Sequence, residues 1–469
     1  MNNKVFFFTF LISIGILCGF LLVCNPAALF FIILTLIVCG LIYCKSDTKE
    51  RKFLLIIFIL AILSRIILSF VYYKTSLARG YGVDYLGDAV NYSNNALYIA
   101  EVITKHDYSQ YLNQDPYLLE NLRIAREIFN NQLPPFYTYQ IGPYSYYIAF
   151  LYTIFGYAPF LVKLLNCLFG SLLCLAVYSI TKELFNVKAG RIAMAMSAFF
   201  PSLFFWSITS LRDILLILAI VFLFWTLMRF QNKSKLIYIL FFIFSLAIIG
   251  NFKRGIVAIL APAVFIPIFL DKFKVLGKSI ICFLVISLLC VSFCSNSRFG
   301  SPINKQLQEL RPQTLIREQV VNSHRARSGY EIYPERFYLG FIYSLPDKDI
   351  EQVHPEEFLF GMVLGAAYFL FSPFVWHISS ISELVTYPQM IIWYFLLACS
   401  IVGFFTALRY KRNKVLGIMI FCGLMLILNS LIEGNRGTMF RHRDMLTPFL
   451  LIFASQGICR LAGLAEESK

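Results

Sequence analysis

The stretch 84-DYLGDAVNYSNNALYIAE-101 sets two carboxylates, Asp84 and Asp88, four residues apart just beyond a long apolar run. A third acid, Asp213, closes the motif SLRD at another helix junction. Around them the chain gathers cations at short corners and in one long loop: Arg212, Lys253, Arg254, Arg436, Arg441 and Arg443, with Arg325, Arg327 and Arg336. His324 and His442 each stand between cations. Guanidinium and ammonium groups collected on one face point to an anionic ligand, phosphate first, because they offer charge-assisted donors matched to its oxygens. Arg and Lys that snorkel to head groups are the structural alternative. A carboxylate at the bilayer edge facing such cations is a functional candidate. For Asp88 the plain alternative is an acid at a helix start, held by backbone N–H groups and the helix dipole. For Asp213 it is an ion pair with Arg212 or an N-cap.

Other chemistries lack their residues. The five histidines, at 106, 324, 354, 377 and 442, form neither HxxxH nor HExxH, so a zinc hydrolase is unsupported. There is no Walker loop, GxSxG elbow or dinucleotide fingerprint, which removes nucleotide-driven pumps and leaves secondary transport open. The twelve cysteines all lie in or beside apolar runs and read as small core hydrophobes, with no disulfide framework.

The elements that must position these residues follow from composition. With 59% hydrophobic and only 14% charged residues, the chain departs from the about 25% charge of soluble domains, so its solvent is lipid. The expected fold is all-α, a polytopic transmembrane helix bundle. Apolar runs near 5–23, 27–43, 53–73, 158–181, 189–207, 213–230, 235–250, 254–270, 278–295, 388–408, 414–432 and 444–461 suggest about twelve spans. Two further pieces, 143–157 and 358–376, read as half-helices, interfacial helices or extra spans. Val5–Val23 resembles a signal peptide, but lacks obvious small residues for cleavage and is followed by Ala27–Tyr43, so a retained hairpin is expected.

Orientation follows from the short loops. With the N-terminus inside, the basic connectors 45–52, 181–191, 229–235, 270–278 and 410–414 all fall on the cytoplasmic side. Much of the net charge of +15 is then loop anchoring rather than nucleic-acid binding. The long polar segments 74–142 and 296–357, and the cation-bearing corners, fall on the extracytoplasmic face. If helical from Gly87, the acid motif repeats Ala89, Tyr92, Ala96 and Ile99 at helical spacing, which predicts an amphipathic helix along the membrane surface with Asp88 near its start. The chain divides into an N-terminal hairpin (1–45), a core (46–295) whose loop 74–142 carries the acids, a polar loop (296–357) and C-terminal helices (358–469).

Three blocks resemble the GT-C glycosyltransferases, the group of the protein O-mannosyltransferases and the aminoarabinose transferase of lipid A. They are GDAVNYSNNALYIAE (87–101), the stretch from PPFYTYQIGPYSYY to SITKELF (134–185) and FRHRDMLTPFLLIFASQG (440–457). With the span pattern the resemblance covers most of 53–461, and the N-terminal hairpin looks like an addition. It implies a multi-pass enzyme of a bacterial cell membrane that takes a sugar from a polyprenyl phosphate or diphosphate. The sugar passes with inversion to a glycan, lipid or protein acceptor on the extracytoplasmic face. Asp88 matches the family's loop acid, the general base. Asp84 is a second carboxylate, and both are possible ligands of a divalent metal, Mg or Mn. Asp213 corresponds to a second outer acid. Lys253, Arg254, Arg441, Arg443, His442, Arg325 and Arg327 are the residues expected on the lipid phosphate. The motif here is Gly-Asp-Ala where the family commonly has Asp-Glu. With no soluble domain after the last span, acceptor recognition is expected from the membrane part and 296–357, a segment that is either a solvated cap or a gating loop.

Two other functions fit parts of the pattern. O-antigen or polysaccharide polymerases and ligases share the span number and the extracytoplasmic arginines, and would depend on arginine and histidine rather than on the acids. A transporter or flippase of lipid-linked sugar would move its cargo without making a glycosidic bond, and typically shows internal repeats, which are not evident here.

Overall fold

The computed structural model describes residues 25–107, 116–130, 132, 142–233, 236–270, 355–374, 381–432 and 436–463, with single positions before 25. The expected spans 5–23 and 278–295, and the loop carrying Arg325, Arg327 and Arg336, lie largely or wholly outside them. The described elements are helical, as the apolar periodicity predicts. Contacts divide the chain into two units, residues 1–175 with 198–218 and residues 176–197 with 219–469.

In the first unit, α1 (Ala28–Lys45) and α2 (Thr48–Ala78) pack on each other. The 31 residues of α2 reach about 46 Å at 1.5 Å per residue, longer than a hydrocarbon core. Helix α3 (Gly87–Thr104) starts where the sequence predicts and buries Ala89, Ala96 and Ile99, leaving Tyr92 half-exposed. It docks on α5 (Pro143–Phe155) and on the short α4 (Pro116–Phe129). The 143–157 piece thus forms a helix of half a span's length. Both α5 and α6 (Pro159–Leu184) open on proline, whose missing N–H is no loss at a first helical position.

The expected span 189–207 is broken. Helix α7 (Val187–Phe199) and α8 (Pro201–Ile208) meet at a 53° bend, because Pro201 can neither donate to the ladder nor clear the preceding turn. Helix α9 (Asp213–Lys233) follows after a non-helical corner at 209–212.

The second unit contains α7, most of α9, α10 (Leu236–Phe252), α11 (Arg254–Leu270), α12 (Pro355–Phe371), α13 (Ile381–Ile432), α14 (Arg436–Arg443) and α15 (Thr447–Leu461). Helix α13 breaks at Lys411, whose backbone is non-helical at φ −136° and ψ 32°. Its two limbs correspond to the expected spans 388–408 and 414–432. Small residues set how closely the helices approach: Gly403 of α13 lies against the Phe453 carbonyl of α15, and Gly457 of α15 against the Cys399 carbonyl. Phe449 meets Phe224 and Phe421 edge to face in the core, and those two are tilted against each other, with centroids 5.4–5.7 Å apart.

Among the described residues six helices are long and apolar enough to cross a membrane, or seven if α7 with α8 counts as one bent span. Helices α10, α11 and α15, with part of α12, are shorter apolar helices.

Candidate active site

Asp84 is buried to 1% exposure, and each of its carboxylate oxygens accepts two hydrogen bonds. Oδ1 takes the Tyr72 hydroxyl at 3.0 Å and the Leu86 N–H at 3.2 Å. Oδ2 takes the Lys163 ammonium at 2.6 Å and the Ser210 N–H at 2.9 Å. A carboxylate offers about four lone-pair positions, so this one is fully engaged. The chain reaches Asp84 through Gly80 and Gly82, whose φ values of 74° and 75° turn it out of α2 in a conformation side chains disfavour. The bond to Leu86, two residues on, is the Asx-type turn that starts α3.

Asp88 sits in the first turn of α3 and is exposed. One turn further along the same face, Tyr92 receives the Arg212 guanidinium over its ring at 5.8 Å and meets Tyr144 edge to face at 5.2 Å. Arg212 belongs to the corner 209–212, where side chains take up two carbonyls, Thr209 O and Leu211 O, and that of Ile208 just before it. Asn166 Nδ2 donates to Thr209 O at 2.7 Å and Leu211 O at 2.8 Å; Tyr144 donates to Leu211 O at 3.3 Å; Ser69 donates to Ile208 O at 3.1 Å. Irregular backbone among apolar helices needs such partners. Burial raises the Tyr144 phenol well above its ordinary pKa, which keeps it a donor at neutral pH. Asp213, buried, opens α9 directly after Arg212. The first unit therefore brings Asp84, Asp88, Arg212 and Asp213 onto one frame made of α2, α3, α5, α6 and the corner.

Lys163 and Arg65 were not among the residues anticipated from sequence. Both are lone cations inside apolar runs, and that interruption was the available signal. Arg65 is wholly buried in α2, donates from Nε to Ser207 Oγ at 2.8 Å and from Nη1 to Ala61 O at 3.0 Å, and lies 4.9 Å from the Phe204 ring. Gly170 leaves it room, since a Cβ there would come within 3.0 Å of Arg65 Nε and 2.6 Å of Ser207 Cβ.

In the second unit the Lys253 Nζ lies against His442 Nε2. Arg441 is half-buried on the same short α14, and Arg254 opens α11, its side chain outside the described set. Arg443 is only 1% exposed. It donates to Ser372 O at 2.8 Å and Met390 Sδ at 3.2 Å, and lies over the Trp393 and Phe440 rings at 5.0 and 4.4 Å. It serves as a cap on the carbonyl end of α12. Burial pulls its pKa down to about 10, so it remains charged at neutral pH. Asp444 accepts from the Thr447 hydroxyl, at the first residue of the next helix, at 2.9 Å.

A divalent metal at Asp84 and Asp88 does not fit this donor set. Asp84 has its acceptor positions filled, and among the described residues no three His, Cys, Asp or Glu side chains cluster.

Apolar spanning helices, a broken span and an acid and cation frame at helix ends define a multi-pass membrane protein with a polar site at the ends of its helices. Residues 143–297 match the family described as dolichyl-phosphate-mannose-protein mannosyltransferase. The chain is a membrane glycosyltransferase that depends on a sugar carried on a polyprenyl phosphate. The matched stretch includes α5 to α11, with Lys163, Asn166, Arg212, Asp213 and Lys253. No curated protein matches the sequence.

Proposed function

We propose that the chain transfers a sugar from a polyprenyl phosphate to an acceptor hydroxyl or amine on the extracytoplasmic face, with inversion, and that Asp88 is the general base. The observation that carries this reading is the exposure of Asp88 at the start of α3, one turn from the Arg212–Tyr92 stack, beside a buried Asp84 that is already saturated. The acceptor oxygen or nitrogen attacks the anomeric carbon as its proton passes to the Asp88 carboxylate. The bond from that carbon to the phosphate oxygen breaks, and polyprenyl phosphate leaves with the electron pair. Cations placed at the developing charge favour that departure. In the first unit the candidate cation is Arg212, which lies over Tyr92 one turn from Asp88. Taken by itself, the second unit offers Lys253, Arg254, Arg441 and His442 as anion-binding candidates. Arg443, engaged with carbonyls, supports α14.

Purified protein incubated with labelled polyprenyl-phosphate sugars should release polyprenyl phosphate as the acceptor is glycosylated. Asp88→Asn should lower that transfer about 100- to 10,000-fold, the range for a positioned base. Transfer at near the wild-type rate would remove Asp88 from the role. Movement of labelled lipid without release would favour a flippase instead.

A further inference from the structure

We propose that Lys163 is a positioning residue for the transfer: through the Asp84 carboxylate it locks the start of α3, where Asp88 sits, against the corner that carries Arg212. The inference rests on the reading of Asp88 as the base.

Three observations converge on it. First, the Lys163–Asp84 pair is 0% exposed on both sides at 2.6 Å. Taking two charges out of water costs more than an apolar pair of similar volume, so stability alone does not favour this choice of residues. Second, Asp84 joins four chain segments at one carboxylate: α2 through Tyr72, the first residues before α3 through Leu86 N–H, α6 through Lys163, and the corner through Ser210 N–H. Two of these partners are backbone amides, and they stand two residues from the groups that matter: Leu86 before Asp88, Ser210 before Arg212. Third, Lys163 Nζ also lies 5.0 Å from the Tyr72 ring, so the ammonium is held from two directions and holds the carboxylate in turn. Among the described partners of Asp84, Lys163 alone is a full positive charge. Without it the buried carboxylate loses its counter-ion and the two amides lose a fixed anchor.

The carboxylate therefore acts through backbone position rather than on substrate. Its oxygens have no lone pair to spare for a proton in transit, whereas a shift of the two amides changes the separation of Asp88 and Arg212 directly. Misplacement of a reacting group by about 1 Å costs on the order of 100-fold in rate.

The test uses the full chain in detergent or nanodiscs with the double variant Asp84→Leu/Lys163→Met, which removes both charges and leaves no orphan ion. Two readouts are taken: kinetics with labelled polyprenyl-phosphate mannose and glucose, and hydrogen exchange at the amides of 86–91 and 209–212. The expected result is a kcat lower by about 10- to 100-fold, a donor KM within about threefold of wild type, a single cooperative unfolding transition, and faster exchange confined to those two segments. Unchanged kcat, or a loss that only follows the folded fraction, would overturn the inference. If the wild type itself releases no polyprenyl phosphate from either donor, the transferase reading fails. The coupling is then judged on exchange alone: acceleration confined to both segments upholds it, and unaltered exchange at Ser210 and Leu86 removes it.

Discussion

The ammonium of Lys163 and the carboxylate of Asp84 meet at 2.6 Å with both side chains wholly buried. The separation in sequence is 79 residues, so the pair staples a loop to a helix that the chain reaches much later.

Breaking this pair from one side should be far worse than deleting it. Lys163→Met alone strands a buried carboxylate and is expected to lower stability by about 3–5 kcal/mol. Asp84→Leu with Lys163→Met should recover most of that loss. Thermal unfolding in detergent of the two single variants and the double variant measures the coupling; additive losses would mean the two groups do not act as a pair.

Much of the frame was legible beforehand. The 3.6-residue recurrence of Ala89, Ala96 and Ile99 marked α3 and put Asp88 in its first turn, although the helix is packed on every side at Ala96, Leu97, Tyr98, Ile99 and Ala100 rather than along one face. The break at Phe200–Pro201 was not marked, since 189–207 is apolar throughout and only the proline distinguishes a bend from a straight span. The burial of Asp84 was hidden for a different reason. Burial of Asp84 depends on Lys163 and Ser210, which are 79 and 126 residues away, and no local pattern encodes such partners. Arg443 looked like its neighbour Arg441, and what separates them is the carbonyl end of α12 that Arg443 covers.

That difference predicts opposite phenotypes on one short helix. Arg443→Met leaves the Ser372 carbonyl without its charged donor and should lower stability by about 1.5–3 kcal/mol, with activity falling only as folded protein is lost. Lys253→Ala should leave the unfolding midpoint within a few degrees and raise the donor KM about 10-fold, the loss of one charge-assisted contact. Parallel melting curves and donor titrations separate the two.

Arg212 should behave as part of the site and not as a surface charge. Its guanidinium lies 5.8 Å from the Tyr92 ring one turn after Asp88. Arg212→Lys keeps the charge but loses the planar group that stacks, so activity should fall by about 10-fold while Arg212→Ala loses more. Equal activity of the lysine variant and wild type would show that charge alone suffices there.

The close approach of α13 and α15 leaves no space at its glycines. A Cβ at Gly403 would meet the Phe453 carbonyl, and one at Gly457 the Cys399 carbonyl. Neither neighbour is a flexible side-chain end, so the helices would have to separate. Gly403→Leu and Gly457→Leu should each destabilise by about 1–3 kcal/mol or more, the range for overpacking. Reduced yield of folded protein and a lower unfolding midpoint are the expected readings, whereas Gly423→Ala, with open space around it, should change neither.

A last prediction concerns pH. Glu101 of α3 binds Arg126 of α4, which also reaches Asp107 at 3.0 Å. Burial raises the Glu101 pKa, and the attraction of Arg126 offsets this only in part. A carboxyl whose folded pKa lies above its unfolded value binds its proton more tightly when folded. Its stabilising contribution is therefore full below the unfolded pKa and is lost as pH rises through the folded one. Docking of α4 on α3 should loosen as pH climbs past the ordinary carboxylate range. Glu101→Gln, which cannot ionise, should flatten that part of the profile and protect α4 at neutral pH. Hydrogen exchange across 116–129 between pH 4 and 8 in both proteins measures it, and a wild-type profile no steeper than that of the glutamine variant would show that the Arg126 pair outweighs burial.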